Sequence, residues 1–170
     1  MNAYEIAAKR ISAGARTEKD LVDFLCKKGI DRKEARQVVE EFKEDGYIDD
    51  SRYSKDYIRY GQGKGWGRTR IVRELIKKGV EKSLIDNAFE ELEEEEGPEE
   101  NGEEERALQV IEKMMRGKND DLSDEDEEEE SHRLDEKTRS RIARRLFDYG
   151  YSSSVIYGAI RRYEESLNRG

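Results

Sequence analysis

Three stretches of this chain align with one another without a gap, and no other feature restricts its fold as much. They are LVDFLCKKGIDRKEARQVVEEF from Leu21, IVRELIKKGVEKSLIDNAFEEL from Ile71 and IARRLFDYGYSSSVIYGAIRRY from Ile142. Leu21, Ile71 and Ile142 share one position, and Leu25, Leu75 and Leu146 share the next apolar one. Ala35, Ile85 and Ile156 match, as do Val38, Ala88 and Ala159, and Phe42, Leu92 and Tyr163. Gly29, Gly79 and Gly150 also coincide, each followed by an apolar residue: Ile30, Val80 or Tyr151. Self-similarity of this kind is the mark of a repeat architecture.

Each copy reads as two helices. Leu21 and Leu25 lie at i and i+4, on one helical face. Lys27 and Lys28 precede Gly29, so cations sit in the last turn and a glycine just beyond it. That pattern predicts a left-handed helix stop, with the cations facing the negative end of the dipole. Asp31 is placed to cap the following helix, and Ser152 or Ser153 does so in the third copy. Ala35, Val38, Val39 and Phe42 are spaced as a second buried stripe.

A further helix precedes each pair. Residues 3–13 put Ile6, Ala7 and Ile11 on one face. Residues 51–60 put Tyr53, Tyr57 and Tyr60 at i, i+4 and i+7, with Asp49 or Asp50 as the cap. Residues 105–116 supply Ala107, Leu108, Ile111 and Met115. The expected fold is all-α: three tandem three-helix repeats in an elongated arrangement. The repeats fall at 1–48, 49–95 and 105–170, with an acidic linker at 96–104 and an acidic insert at 118–134. No segment sustains the two-residue alternation of a strand, and the single proline, Pro98, agrees with helix. Each repeat is too short to bury a large core alone, so stability depends on neighbours.

The charge is regional. The chain of 170 residues carries a formal −9, with 44% of its residues charged. Residues 90–105 contain 11 carboxylates and residues 119–130 contain 9, with no base in either stretch. The rest is basic, and residues 51–80 alone hold 9 bases against 2 acids. Such polarity suits an anionic partner. No apolar run reaches the roughly 20 residues of a membrane span. The lone Cys26 closes no internal disulfide. A soluble, cytoplasmic monomer is expected, with no membrane partner.

Catalysis finds no support. His132 is the only histidine and lies within the acidic insert. Cys26 matches Ile76 and Phe147 in the repeat and reads as a small core-facing hydrophobe. Asp49 and Asp50 stand where a helix cap is needed. The acidic runs at 93–96 and 124–130 lack the spacing of a calcium loop. Gly61, Gly63, Gly65 and Gly67 fit neither a Walker nor a dinucleotide pattern and read as a flexible hinge. No catalytic residue, metal site or cofactor is expected, and the chain is not read as an enzyme.

Cationic faces carry the functional expectation. Arg70, Arg73 and Lys77 form a stripe away from Ile71 and Leu75, with Arg68 at the helix start. Arg52, Lys55 and Arg59 repeat that spacing opposite the tyrosines. Lys64 and Trp66 lie in the connection between these two helices. Arg141, Arg144 and Arg145 cluster in the third repeat with Arg139 beside them, and Arg161 and Arg162 sit on the last helix. Guanidinium groups suit phosphate and carboxylate. Solvated helix faces with i, i+4 pairs such as Arg70–Glu74 are the plainer reading of the same residues.

Residues 46–80, GYIDDSRYSKDYIRYGQGKGWGRTRIVRELIKKGV, resemble the signature of the RecX family of bacterial regulators of RecA recombinase. The matching elements are Gly46 to Asp50, Arg52-Tyr53, Asp56 to Ile58, the turn ending at Gly65, Arg70-Ile71, Glu74-Leu75 and Lys78 to Val80. Arg16 and Lys28 to Ile30 extend the match into the first repeat. The resemblance implies three tandem three-helix repeats. It also implies a protein that lodges in the RecA filament on single-stranded DNA and damps its ATPase, extension and strand exchange, with a role in DNA repair and recombination. Some members bind DNA directly, which leaves a RecA-independent DNA-binding module as the alternative. Both acidic inserts depart from the family pattern. They could repel DNA, mimic it or tether the third repeat.

Overall fold

In the computed structural model, residues 1–97, 102–119 and 133–170 are described. Among them are nine helices and no strand: α1 Ala3–Ser12, α2 Glu18–Lys27, α3 Arg32–Glu44, α4 Asp50–Gly63, α5 Arg68–Lys77, α6 Lys82–Glu96, α7 Gly102–Asn119, α8 Glu136–Asp148 and α9 Ser153–Leu167. The order is that of three three-helix repeats. Two compact units form: Met1–Arg59 with Val72–Pro98, and Tyr60–Ile71 with Glu99–Gly170. The division falls inside α4 and α5. Residues 98–101 and 120–132 lie outside the described residues, and with them His132, the acidic run at 124–130 and most of the insert.

The helix ends follow from local chemistry. Gly29, Gly79 and Gly150 have φ of 88°, 84° and 91°. After α2, the Gly29 N–H donates to the Cys26 carbonyl (3.0 Å) and the Ile30 N–H to the Leu25 carbonyl (3.1 Å). These two bonds satisfy carbonyls that the helix leaves open. The same pair recurs at Gly79-Val80, Gly150-Tyr151, Gly46-Tyr47 and Gly65-Trp66. Asn2, Thr17, Asp31, Asp135 and Ser152 accept N–H bonds as side-chain caps of α1, α2, α3, α8 and α9. Asp49 does so for α4 by accepting the Arg52 N–H at 3.1 Å.

The repeat's apolar positions form the core. Leu21, Ile71, Ile142, Leu25, Leu75 and Leu146 are all buried. In the first unit, α1, α2 and α3 pack around Ala7, Leu21, Leu25, Ala35 and Val38. In the second, α7, α8 and α9 pack around Ala107, Ile111, Ile142, Leu146 and Ala159.

Two expectations need correction. The buried line of α4 is Ser54, Ile58 and Gly61, with Asp50 at its start, whereas the tyrosines lie beside it. Tyr53 and Tyr57 stack on each other at 6.1 Å, and Gly61 lets Ile71 come close. Cys26 is half-buried and packs against the first core, as expected, whereas the matching Ile76 and Phe147 are 48% and 69% exposed, so the position faces the core in the first repeat alone among the three. The glycines at 61–67 are not all free hinge positions: Gly63 has open space around it, but Gly61 and Gly67 do not. A Cβ on Gly61 would stand 2.7 Å from Ile71, and one on Gly67 would stand 2.5 Å from the Gly150 carbonyl oxygen. They permit close packing.

One junction occurs once in each unit. The fully buried Thr17, at the start of α2, donates its hydroxyl to the Lys78 carbonyl at the end of α5 (2.7 Å). Gly67, at the start of α5, donates its N–H to the Tyr149 carbonyl at the end of α8 (2.8 Å). Thr17 and Gly67 hold equivalent repeat positions, as do Lys78 and Tyr149. Each junction sets the positive end of one helix against the negative end of another.

Candidate partner-binding surfaces

In the first unit, α4 turns Lys55 and Arg59 toward α6. The Lys55 Nζ lies 2.5 Å from Glu91 and 3.1 Å from Glu95. Arg59 meets Glu95 at 3.2 Å and Glu96 at 3.3 Å. Hydrogen bonds to Glu91 and Glu95 push the Lys55 ammonium above its ordinary range, and Lys55 in turn holds the Glu95 carboxyl below its own. Arg52 and Arg73 are exposed and have no carboxylate partner among the described residues. Lys77 lies 3.4 Å from Glu74.

Asp50 is a feature missed in the sequence. It is 8% exposed and accepts the Glu18 N–H at 3.0 Å, so it caps the start of α2 from another helix. Burial pushes its carboxyl above the ordinary value, opposed by that hydrogen bond.

The second unit gathers a richer set. The Tyr60 and Trp66 rings meet edge to face at 5.7 Å. The Arg70 guanidinium lies 4.2 Å from the Trp66 ring centre, and the Lys64 ammonium 5.6 Å from that of Tyr60. The Arg68 N–H donates to Glu103 at 2.7 Å. The Tyr151 hydroxyl donates to the Gly65 carbonyl at 2.6 Å, and burial pushes its pKa to about 12, so it stays a donor.

Several predicted cations here are internally neutralised. Arg139 donates to both oxygens of the buried Glu164, at 3.1 and 2.9 Å. Arg162 pairs with Glu105 at 2.9 Å and Arg161 with Glu165 at 3.0 Å. Arg141 and Arg144 are exposed without a carboxylate partner among the described residues. Arg145 lies 4.8 Å from the Tyr149 ring centre and donates to its hydroxyl at 3.1 Å.

A groove of about 370 Å³ in this unit brings Lys64 and Arg145 together with Arg106 and Lys113 of α7, over Val110, Met114 and Tyr149. No aspartate or glutamate lines it. Arg106 and Lys113 were missed in the sequence, although their seven-residue spacing around Val110 puts them on one helical face. The larger hollow in the first unit instead mixes five carboxylate residues with four cations. The lining of the α7 groove thus holds cations and no carboxylate.

Among the described residues, no cluster of three His, Cys, Asp or Glu is placed to hold a metal ion. No helix among them is long and apolar enough to cross a membrane.

Residues 49–88 match the family profile described as RecX, second three-helix domain. The regulatory protein RecX of Streptomyces lividans is 29% identical over 162 residues, which cover 94% of this chain and 76% of that protein. RecX of Oceanobacillus iheyensis is 26% identical over 163 residues. That match takes in 95% of this chain but 53% of the relative, so the chain spans about half of its length. The crystal structure of RecX from Lactobacillus salivarius superposes with a TM-score of 0.74 at 20% identity, covering 96% of this chain and 95% of that one. A second, of regulatory protein RecX, gives 0.72 at 24% identity, covering 94% and 71%. These two establish likeness of fold. With the repeat on which they fall, the sequence matches lead to one conclusion: over 94–95% of its length the chain is similar to regulatory proteins of the RecX family.

Proposed function

We propose that this protein binds the RecA filament on single-stranded DNA and inhibits its ATPase, its extension and strand exchange. The observation that carries the reading, for a chain similar to this family, is the α7 groove with its four cations and no carboxylate. Cations gathered around one hollow attract an anion, and a protein–DNA filament offers phosphates and acidic side chains. Arg141, Arg144, Arg52 and Arg73 add exposed guanidinium groups without internal partners. The paired Arg139, Arg161 and Arg162 support the fold first and carry less of the binding.

The same groove also suits direct DNA binding independent of RecA, because Tyr149 supplies an aromatic edge beside the cations. One experiment separates the two. DNA-dependent RecA ATPase is titrated with the protein over preformed filaments, with protein and single-stranded DNA alone as the control. Loss of ATPase at protein levels well below those of RecA supports filament regulation. An unaffected ATPase with tight DNA binding in the control moves the function to DNA alone.

A further inference from the structure

The end of α6 should not be a good helix by itself. Glu90, Glu91, Glu93, Glu94, Glu95 and Glu96 crowd its last two turns, and no base lies in the last turn. Carboxylates at a helix C-terminus face the negative end of the dipole, and like charges at i, i+4 repel. The contrast with α7 is direct, since its first-turn Glu103, Glu104 and Glu105 sit at the favourable end. Yet α6 runs to Glu96. What opposes the repulsion is α4: Lys55 lies against Glu91 and Glu95, and Arg59 against Glu95 and Glu96. Lys55 is thereby left with a side chain only 22% exposed, although it stands on a surface helix.

We propose that this acidic helix end is a built-in competitor: Glu91, Glu95 and Glu96 occupy Lys55 and Arg59 until the phosphate backbone of a single-stranded nucleic acid displaces them. The proposal rests on the reading that the basic faces meet an anion, and it does not require that RecA be present. The contact suits displacement. The three carboxylates are about half exposed (51%, 51% and 50%), and exposed pairs of this kind are individually weak and screened by salt. The competitor is tethered, so its effective concentration is high and weak anions fail against it. A polyanion gains in addition from the counterions it releases. The device therefore raises the threshold for binding at the α4 face and selects dense, continuous negative charge.

The test uses the full chain and fluorescence anisotropy with labelled oligo(dT) over a series of salt concentrations. Glu91→Gln, Glu95→Gln and Glu96→Gln together should tighten binding about 3- to 10-fold at low salt. They should also steepen the salt dependence by about 1.4 in log–log slope, the release expected of two further phosphate contacts on a single strand. In a Lys55→Gln, Arg59→Gln background the gain should vanish. A gain of the same size there would show a general effect of net charge and overturn the proposal. So would no gain at all, or no binding of oligo(dT) by any of the proteins. Hydrogen exchange without DNA gives an independent readout. Lys55→Gln with Arg59→Gln should speed exchange of the amides in the last turn of α6, and unchanged protection would remove the holding contact. A wild-type chain that leaves RecA ATPase untouched but shows this cycle on oligo(dT) would sink the RecA reading and leave the competitor standing.

Discussion

At the scale of single residues, the buried positions of the repeat were legible and the buried polar ones were not. Leu75 and Leu146 share a position, and both are fully buried. Leu146→Ala should cost about 2–5 kcal/mol, read as a lower urea midpoint. An unchanged midpoint would contradict its place in the core. Asp50 shows the other side. Its neighbour Asp49 caps α4, as a carboxylate before a helix should, but Asp50 reaches across to the Glu18 N–H of α2. That contact joins residues 32 apart in the chain, and no local pattern announces it. Its carboxyl pKa is raised, so the folded state holds the proton more firmly than the unfolded chain does. The stability of the wild type relative to Asp50→Asn should therefore fall as pH rises from about 4 through the raised folded value. Urea titrations on both sides of that window check the sign. A rise instead would mean that the hydrogen bond from Glu18 outweighs burial.

At the scale of elements, the glycine stops separate what a turn needs from what packing needs. Gly29 has a positive φ and open space around its missing Cβ. Gly150 has a positive φ too, but a Cβ there would come 2.4 Å from the Arg70 Cβ and 2.5 Å from its backbone nitrogen. Gly29→Ala should cost about 1–2 kcal/mol for the backbone conformation alone. Gly150→Ala should cost that and about 1–3 kcal/mol more for overpacking. Equal losses in thermal or urea denaturation would show that the junction yields freely. The cationic stripe of α5 divides in the same way. Arg70 stacks on Trp66, whereas Arg73 stands exposed. Arg70→Glu should lower stability by about 0.5–1 kcal/mol or more through the lost cation–π contact. Arg73→Glu with Lys77→Glu should leave the melting temperature nearly unchanged and weaken partner binding. The i, i+3, i+7 spacing puts all three on one stripe. It cannot say that an aromatic ring and a glycine turn take the first of them.

At the scale of the whole molecule, the net charge of −9 conceals a basic protein that carries its own acid. Much of the predicted cationic surface is neutralised within the fold, at Lys55, Arg59, Arg139, Arg161 and Arg162. Among the described residues, Lys113 on the α7 groove and the exposed Arg52, Arg73, Arg141 and Arg144 have no carboxylate partner. Lys113→Glu, on the exposed rim of that groove, should reduce both inhibition of RecA ATPase and its sensitivity to salt, with helicity unchanged in circular dichroism. Undiminished inhibition would place the contact elsewhere.

The helices, their stops, the threefold repeat and the core register of its matched segments were determined by the sequence alone. Each depends on interactions within about one turn of chain: apolar residues at i and i+4, an N-cap followed by free N–H groups, a glycine where φ turns positive. Three copies of the same local pattern reinforced one another. Which cations remain available was decided only by the tertiary structure. Lys55 and Glu91, or Arg139 and Glu164, are neighbours in space and not in sequence. A charge is neutralised by whatever lies within a few ångströms, so composition can supply the excess of positive charge but cannot place it.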